Sequence, residues 1–441
     1  MDLRDLAVTP IFIILIYGVA YFIRPRLTDA VNKKYFFPAL TVKIIGAIAL
    51  GVVYQFYYSG GDTYNYHTHG SRVIWETLIE NPDDAIRLWF NDKSPDLIQY
   101  TNRLYMYYDS SSFVVIKLAA FFDLFTLSTY SATAVCFALI SFLGMWYFFK
   151  AFYELFPHLH RWIAFAAFFI PSVFFWGSGI LKDTVIMACL GISTYLIKRL
   201  FIDKRLAPSA LLILILSLLL AFSIKKYVLM CFVPAALFWV YSGNLFKVKS
   251  WVARAVLFPL ILLITLISGF YAIQKIGESD PRYALERIAE TARITAYDIR
   301  YWTGRDAGSG YSLGELDGSF SSMIRLAPQA VNVSLFRPYL WEVKNPLMLL
   351  SALESFVLLL ITITLFLFKP LNFIRAFSNP NVLFCFIFST TFSFAVGVST
   401  YNFGTLVRYK IPMLPFYIIG LALIWNQLKS ERKLASLDFT E

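Results

Sequence analysis

Long apolar stretches separated by short polar segments dominate this chain. About eleven of them approach the roughly 20 mostly apolar residues that a helix needs to cross a bilayer. They cover residues 9–23, 37–58, 130–150, 162–176, 180–198, 209–223, 227–242, 255–273, 345–368, 382–399 and 411–427. The pattern predicts an all-helical, polytopic integral membrane protein with a single transmembrane domain over residues 1–441.

Composition supports this class. Hydrophobic residues make up 58% of the chain and charged residues only 15%, proportions that do not describe a soluble globular protein. The first apolar stretch ends in Arg24-Pro25-Arg26 rather than in a small-residue cleavage site, so we expect a true first helix. The four cysteines lie inside apolar stretches, which argues against disulfides and against a thiolate metal cluster.

Clusters of Lys and Arg orient the predicted spans, because these residues concentrate in cytoplasmic loops. The clusters are Arg24, Arg26, Lys33 and Lys34; Lys198, Arg199, Lys204 and Arg205; Lys247, Lys249 and Arg254; Lys369 and Arg375; and Lys429, Arg432 and Lys433. With eleven spans, all of them fall on one face. This arrangement predicts a multi-pass protein of the bacterial inner membrane with its N-terminus outside and its C-terminus in the cytoplasm. The net charge of +11 then reflects loops that meet anionic lipid rather than nucleic acid.

Two long segments are predicted to face outward. Residues 59–112 contain Trp75, Trp89 and Phe90 at spacings typical of amphipathic helices that lie on a membrane. Residues 274–344 begin with a predicted helix over 281–302, and the Gly- and Ser-rich stretch 304–318 that follows is a candidate lid. Residues 112–127 are also apolar, but a full span there would move the later cationic clusters outside. We therefore expect an interfacial or re-entrant helix.

The first outer segment opens with the most informative motif, Gly60-Gly61-Asp62-Thr63-Tyr64-Asn65-Tyr66-His67-Thr68-His69-Gly70. Asp62 directly follows a membrane helix, where a lipid-borne substrate would present its head group to water. Tyr64 and Tyr66 are candidates for stacking on sugar rings, or for interfacial anchoring. His67 and His69, two positions apart, do not share a helix face, so we predict substrate or hydrogen-bond contacts for them; a divalent cation stays an open alternative.

Further candidates lie at other predicted outer ends of the spans. Asp183 follows a tight turn with Gly177 and Gly179, and it could cap the next helix, or orient an acceptor or a cationic partner. Charge close to a membrane is costly without a partner, and a lipid phosphate or diphosphate would supply one; snorkelling to ordinary phospholipid is the alternative. The remaining candidate substrate-binding residues are Lys182, Lys225, Lys226, Arg337, Trp341, Glu342, Arg408 and Lys410.

The order of these parts resembles the glycosyltransferase C superfamily of polyprenyl-phosphate-dependent membrane transferases. The likeness covers residues 38–200 and includes the outer segment with Asp62 and the turn with Asp183. Where the superfamily often carries an acidic pair, this chain has Gly61 and Thr63 beside Asp62. Residues 337–342 and 402–412 are similar to segments of bacterial membrane proteins of surface-polysaccharide pathways.

Together these residues predict a membrane glycosyltransferase. It would move a sugar or oligosaccharide from a polyprenyl (di)phosphate donor to a saccharide, lipid or protein acceptor at the outer face of the inner membrane, in cell-surface polysaccharide or glycoconjugate synthesis. Asp62 would act as the base, with cations on the departing phosphate. The alternatives are an O-antigen-type polymerase or ligase, a lipid-linked-saccharide transporter and a non-enzymatic scaffold. The predicted spans are mostly uncharged, with Glu354 as the clearest exception.

Overall fold

The computed structural model describes residues 2–245, 250–284, 286–302 and 309–437, and the regular secondary structure of this part is helical, with one isolated β-bridge between Gly310 and Asn402. The predicted cytoplasmic residues Lys247 and Lys249 and the first part of the candidate lid, 304–308, lie outside the described residues. The predicted all-helical class is confirmed for the described residues.

Within the described residues, seven helices are long and apolar enough to cross a membrane. They are Leu3–Leu27, Lys33–Phe56, Tyr130–Tyr153, Lys182–Ile202, Lys226–Gly243, Pro346–Phe368 and Pro380–Thr400. An eighth span results if Phe403–Tyr409 and Leu414–Lys429, which meet at a bend of 67°, are counted as one. The protein is therefore a multi-pass membrane protein, while the predicted number of eleven spans is not confirmed.

The remaining predicted spans differ from simple long helices. Residues 162–176 are interrupted: a π-helical segment, Phe165–Phe169, precedes Pro171, whose ring cannot continue the hydrogen-bond ladder. Residues 209–223 form a helix that is apolar but only 17 residues long. Residues 255–273 lie within the helix Trp251–Ser279.

The chain divides into two compact units, of which the first contains Met1–His160, Ala167–Tyr195 and Leu212–Lys225. Its helices are α1 (Leu3–Leu27), α2 (Lys33–Phe56), α3 (Asp62–Tyr66), α4 (Arg72–Glu80), α5 (Pro82–Trp89), α6 (Ile98–Thr101), α7 (Ser110–Thr126), α8 (Tyr130–Tyr153), α10 (Pro171–Trp176), α11 (Lys182–Ile197) and α12 (Pro208–Ile224). The short helix α9 (His160–Ala164) belongs to the second unit from Arg161 onward. The largely buried α8 packs against α1, α2 and α7 and forms the centre of the first unit.

The predicted outer segment 59–112 is folded into helices rather than extended as a loop. Helix α3, a π-helical turn (His67–Ser71), α4 and α5 follow α2 directly. Asn81 caps α5, because its side chain accepts from the backbone of Asp83 and Asp84. The apolar run predicted as an interfacial helix is α7; it packs on the π-helical turn and on α8. Its position relative to a membrane stays a prediction.

The second unit contains Arg161–Ala166, Leu196–Leu211 and Lys226–Glu441. Its helices are α13 (Lys226–Leu245), α14 (Trp251–Ser279), α15 (Ile288–Trp302), α16 (Phe320–Arg325), α17 (Ala327–Phe336), α18 (Pro346–Phe368), α19 (Pro370–Ala376), α20 (Pro380–Thr400), α21 (Phe403–Tyr409) and α22 (Leu414–Leu437). Helix α20 is central and packs on α13, α15, α17 and α22. Gly397 allows the closest approach, since a Cβ there would lie 2.2 Å from the carbonyl oxygen of Ala330.

Candidate functional site

Asp62 is placed by a sharp reversal of the chain at the end of α2. Gly60 and Gly61 adopt φ values of 132° and 124°, which side chains other than glycine rarely tolerate. A Cβ on Gly61 would also lie 2.8 Å from the ring of Tyr54. Helix α3 then begins at Asp62, whose side chain is half-buried. The Gly-Gly-Asp sequence is therefore what brings a carboxylate back over the end of a candidate membrane span.

Lys182 lies near this carboxylate and contacts a second one, that of Asp109. Its Nζ lies 3.2 Å from Asp109 Oδ2 and 2.7 Å from Ser111 Oγ. The charges of Asp62 and Lys225 also act on Lys182, so these residues lie near one another in the first unit. The structure thus brings together Asp62 and Lys182, which the sequence analysis proposed from separate motifs, and adds Asp109.

Asp109 has two roles at this point. Its side chain caps α7 by accepting from the backbone N–H of Ser111 at 3.1 Å, and it also accepts from the Ser112 hydroxyl at 2.5 Å. Burial raises the pKa of Asp109, but the hydroxyl bonds and the nearby Lys182 ammonium outweigh it and lower the pKa to about 2. The sequence analysis missed this residue, although an Asp before three serines and an apolar run is a helix-start signal.

Asp183 is fully buried at the beginning of α11 and pairs with Lys225, whose Nζ lies 2.5 Å from Asp183 Oδ1. Among the roles expected for Asp183, this geometry favours the contact with a cationic partner. Three carboxylates (Asp62, Asp109 and Asp183) and two ammonium groups (Lys182 and Lys225) are thus gathered in the first unit, with one negative charge in excess.

The aromatic residues after Asp62 turn toward the protein. The Tyr64 ring stacks on Tyr130 with centroids 4.5 Å apart, and its hydroxyl lies 3.1 Å from Gln55 Oε1. Tyr66 and His67 are buried, whereas His69 is exposed. The placement of Tyr64, Tyr66 and His67 favours packing over the substrate contacts that the sequence analysis predicted.

His67 instead belongs to a buried polar network that the sequence analysis missed. Its Nε2 lies 3.5 Å from Asp123 Oδ1, and both side chains are fully buried. Asp123 also accepts hydrogen bonds of 2.6 Å from the hydroxyls of Ser71 and Thr133. The network fastens the π-helical turn after α3 to α7 and α8. The only sequence signal for it was one acid inside the apolar run 112–127.

In the second unit, Arg337 is paired within the protein. Its Nε lies 3.0 Å from Glu342 Oε2, and its Nη2 also contacts Oε1, which raises the pKa of Arg337. Burial raises the pKa of Glu342. The hydrogen bonds from Arg337 and from the Tyr339 backbone N–H lower it by more, so the pKa of Glu342 lies below its usual value. The guanidinium also lies 5.3 Å from the centre of the Phe403 ring, a cation–π contact.

Ser355 joins the two motifs of this unit. Its hydroxyl donates to the carbonyl oxygen of Arg337 at 3.2 Å and accepts from Lys410 Nζ at 2.9 Å. Lys410 is fully buried and Arg408 nearly so, and the charge of Glu354 acts on Lys410. Residues 337–342 and 402–410, which the sequence analysis singled out separately, are therefore packed against each other through α18.

Lys226 and Trp341 complete the predicted residues of the second unit. Lys226 Nζ lies 2.9 Å from Asp280 Oδ2, and Arg282 binds the same carboxylate. Arg282 lowers the pKa of Asp280 well below its usual value. Burial raises this pKa, but the hydrogen bond from Lys226 lowers it as well. Trp341 is 80% exposed and stacks on Tyr339 at 4.8 Å, so its outer face is open.

These pairings correct one step of the sequence argument. We expected outer cations to need a lipid phosphate as their partner, but the protein itself supplies a carboxylate to Lys182, Lys225, Lys226 and Arg337. A phosphate would therefore share these groups with aspartate or glutamate rather than neutralise isolated charges.

No group of three or more His, Cys, Asp or Glu side chains among the described residues could hold a metal ion. The four cysteines are free and lie inside helices. In comparisons with known proteins, the chain matches no protein-family model, no curated protein and no solved structure. The resemblance to the glycosyltransferase C superfamily stays a prediction.

Proposed function

We propose that the protein is a membrane glycosyltransferase of the glycosyltransferase C type. It transfers a sugar or oligosaccharide from a polyprenyl (di)phosphate to an acceptor at the outer face of a bacterial inner membrane, in the synthesis of a cell-surface polysaccharide or glycoconjugate. The observation that carries the proposal is the cluster of Asp62, Asp109, Lys182, Asp183 and Lys225 beside the ends of apolar helices in one compact unit.

Asp62 is the proposed general base. A carboxylate within reach of the acceptor hydroxyl can take its proton as the new glycosidic bond forms. Asp62 suits this role because it is half-buried at the first residue of α3, directly after a candidate membrane span.

Lys182 is the proposed contact for the departing phosphate. An ammonium group carries three N–H donors. Lys182 donates one to Asp109 and one to Ser111. The third can bond to a phosphate oxygen without breaking either contact. Because the side chain is 16% exposed, the donor can approach it, while the neighbouring carboxylates limit the positive charge until a phosphate binds.

A polymerase or ligase of the O-antigen type would use the same donors and the same cluster, and would differ in its acceptor. A transporter of lipid-linked saccharides is the second candidate. Interrupted helices favour it, namely the segment around Pro171 and the bent pair formed by α21 and α22, since transporters often build binding sites from broken helices.

The test uses the full chain, purified and reconstituted into vesicles with a labelled polyprenyl-phosphate sugar. A transferase is expected to move label into an acceptor and to release polyprenyl phosphate in equal amount. Movement of intact labelled lipid from one leaflet to the other, without any released polyprenyl phosphate, would support the transporter and contradict the transferase.

A further inference from the structure

A charged residue in the middle of α2 is the strongest feature outside the proposed site. Lys43 lies inside the candidate span Lys33–Phe56, and its side chain is fully buried. Lys43 is thus an exception to the prediction that the spans are mostly uncharged. A lysine in such a position is costly unless its ammonium group is hydrogen-bonded, and it usually has a function.

The partners of Lys43 all surround the end of one short helix. Its Nζ lies 2.8 Å from the carbonyl oxygen of Gly177 and 3.4 Å from that of Val173, which are at the C-terminal end of α10. It also lies 2.9 Å from Ser141 Oγ on α8. Ser141 in turn donates to the carbonyl oxygen of Gly177 at 2.6 Å. Oxygen atoms therefore surround the ammonium much as they would surround a bound cation.

The same face of α2 packs closely against α10 and the turn that follows it. Gly46 lies three residues after Lys43, and a Cβ there would lie 2.3 Å from the carbonyl oxygen of Phe174. Leu50, four residues further, packs so closely that a Cβ on Gly179 would lie 2.8 Å from its Cδ2. Positions i, i+3 and i+7 share one helix face, so Lys43 belongs to a continuous contact with α10 and its turn.

The turn held in this way leads directly to the proposed site. Its last residue is Leu181, whose backbone N–H donates to Gly179 at 2.8 Å, and Thr184 donates to the same carbonyl at 2.6 Å. Lys182 and Asp183 follow at the start of α11. A shift at the end of α10 would therefore move both of the charged groups that pair with Asp109 and Lys225.

We infer that Lys43 is a positioning residue whose ammonium acts as an internal cation, fixing the end of α10 and thereby the places of Lys182 and Asp183. This inference rests on the proposed function only for its activity measurement. Ser141 remains bonded to Gly177 when the ammonium is removed, so substitution is expected to loosen the turn without unfolding the protein.

The experiment compares Lys43→Ala and Lys43→Met in the full chain, by hydrogen exchange of the amides of residues 177–184 and by sugar transfer. In both variants we expect exchange of these amides to be about tenfold faster and transfer about tenfold slower, because a charge-assisted contact is lost. Added methylammonium should reverse both effects in Lys43→Ala, which leaves room for it, but not in Lys43→Met.

Lys198→Met is the matched control, since Lys198 is also buried but pairs with Asp203. It should leave exchange at 177–184 unchanged. Wild-type exchange in both Lys43 variants, or equal rescue of both by methylammonium, would overturn the inference. If the wild-type protein transfers no sugar, the proposed function fails, and the exchange data alone then decide the role of Lys43.

Discussion

Lys182 Nζ lies 3.2 Å from Asp109 Oδ2, although the two residues are 73 positions apart in the chain. One carboxylate thus both closes the N-terminus of α7 and holds the lysine at the start of α11. The contact fixes Lys182 relative to α7, which packs on α3, the helix that begins at Asp62. Substitutions of Asp109 should therefore affect both the activity that depends on Lys182 and the stability of α7.

Asp62→Asn is expected to lower the rate of sugar transfer by about 10²- to 10⁴-fold, the usual effect of losing a general base. The measurement is incorporation of label into the acceptor by vesicles that contain equal amounts of inserted protein. Asp83→Asn is the matched control, because Asp83 is an exposed aspartate in the same segment, residues 59–112. Wild-type incorporation by Asp62→Asn would remove Asp62 from the mechanism.

Asp109 gives a predictable dependence of stability on pH. Its pKa is lowered from an ordinary value of 3.8 to about 2 in the folded protein, so the unfolded chain takes up its proton first as the pH falls. The stabilisation is therefore complete above about pH 4 and is lost as the pH falls towards about 2. Thermal unfolding of wild-type protein and Asp109→Asn, compared between pH 7 and pH 2, should show curves that converge at low pH. A constant difference between them would contradict this prediction.

The pairing of Arg337 with Glu342 predicts a loss of stability rather than of donor binding alone. Arg337→Met or Glu342→Gln should each lower the free energy of unfolding by about 2 kcal/mol, because each leaves a half-buried charge without its partner. The double variant should lose less than the sum of the two. Lys275→Met, which removes an exposed ion pair with Glu278, should change little. Additive effects of Arg337→Met and Glu342→Gln would show that the pair is not coupled.

Asp123 should be among the most sensitive positions in the first unit. Asp123→Ala removes the buried carboxylate that accepts from the hydroxyls of Ser71 and Thr133, which we expect to lower the free energy of unfolding by about 3 kcal/mol. Asp123→Asn keeps one acceptor oxygen and should cost less. Denaturant unfolding of the protein in detergent measures both. Equal stability of Asp123→Ala and wild type would contradict a role for this network in holding the turn after α3.

The candidate site was only partly predictable from the sequence. Asp62 and Lys182 were found because each stands at the end of an apolar run, where a change of composition is visible along the chain. Lys43 and Asp123 were missed because one or two charged residues hardly change the mean hydropathy of a long apolar run. Both side chains are fully buried, and only their neighbours from other helices show that they are bonded.

The number of spans shows the same limit for the fold. Pro171 marks the break in the segment 162–176, but a proline alone does not say whether a helix bends or stops. The 67° bend between α21 and α22 likewise depends on packing and leaves the count at seven or eight candidate helices among the described residues.

The sequence by itself determined that this protein is helical and crosses a membrane, because the length and hydrophobicity of a segment are local properties that already decide whether it can enter a bilayer. Only the tertiary structure decided which charges are paired. Lys225 meets Asp183, and Lys182 meets Asp109, and neither contact leaves a local pattern. An ion pair depends on where distant helices pack, and that packing is a property of the whole fold.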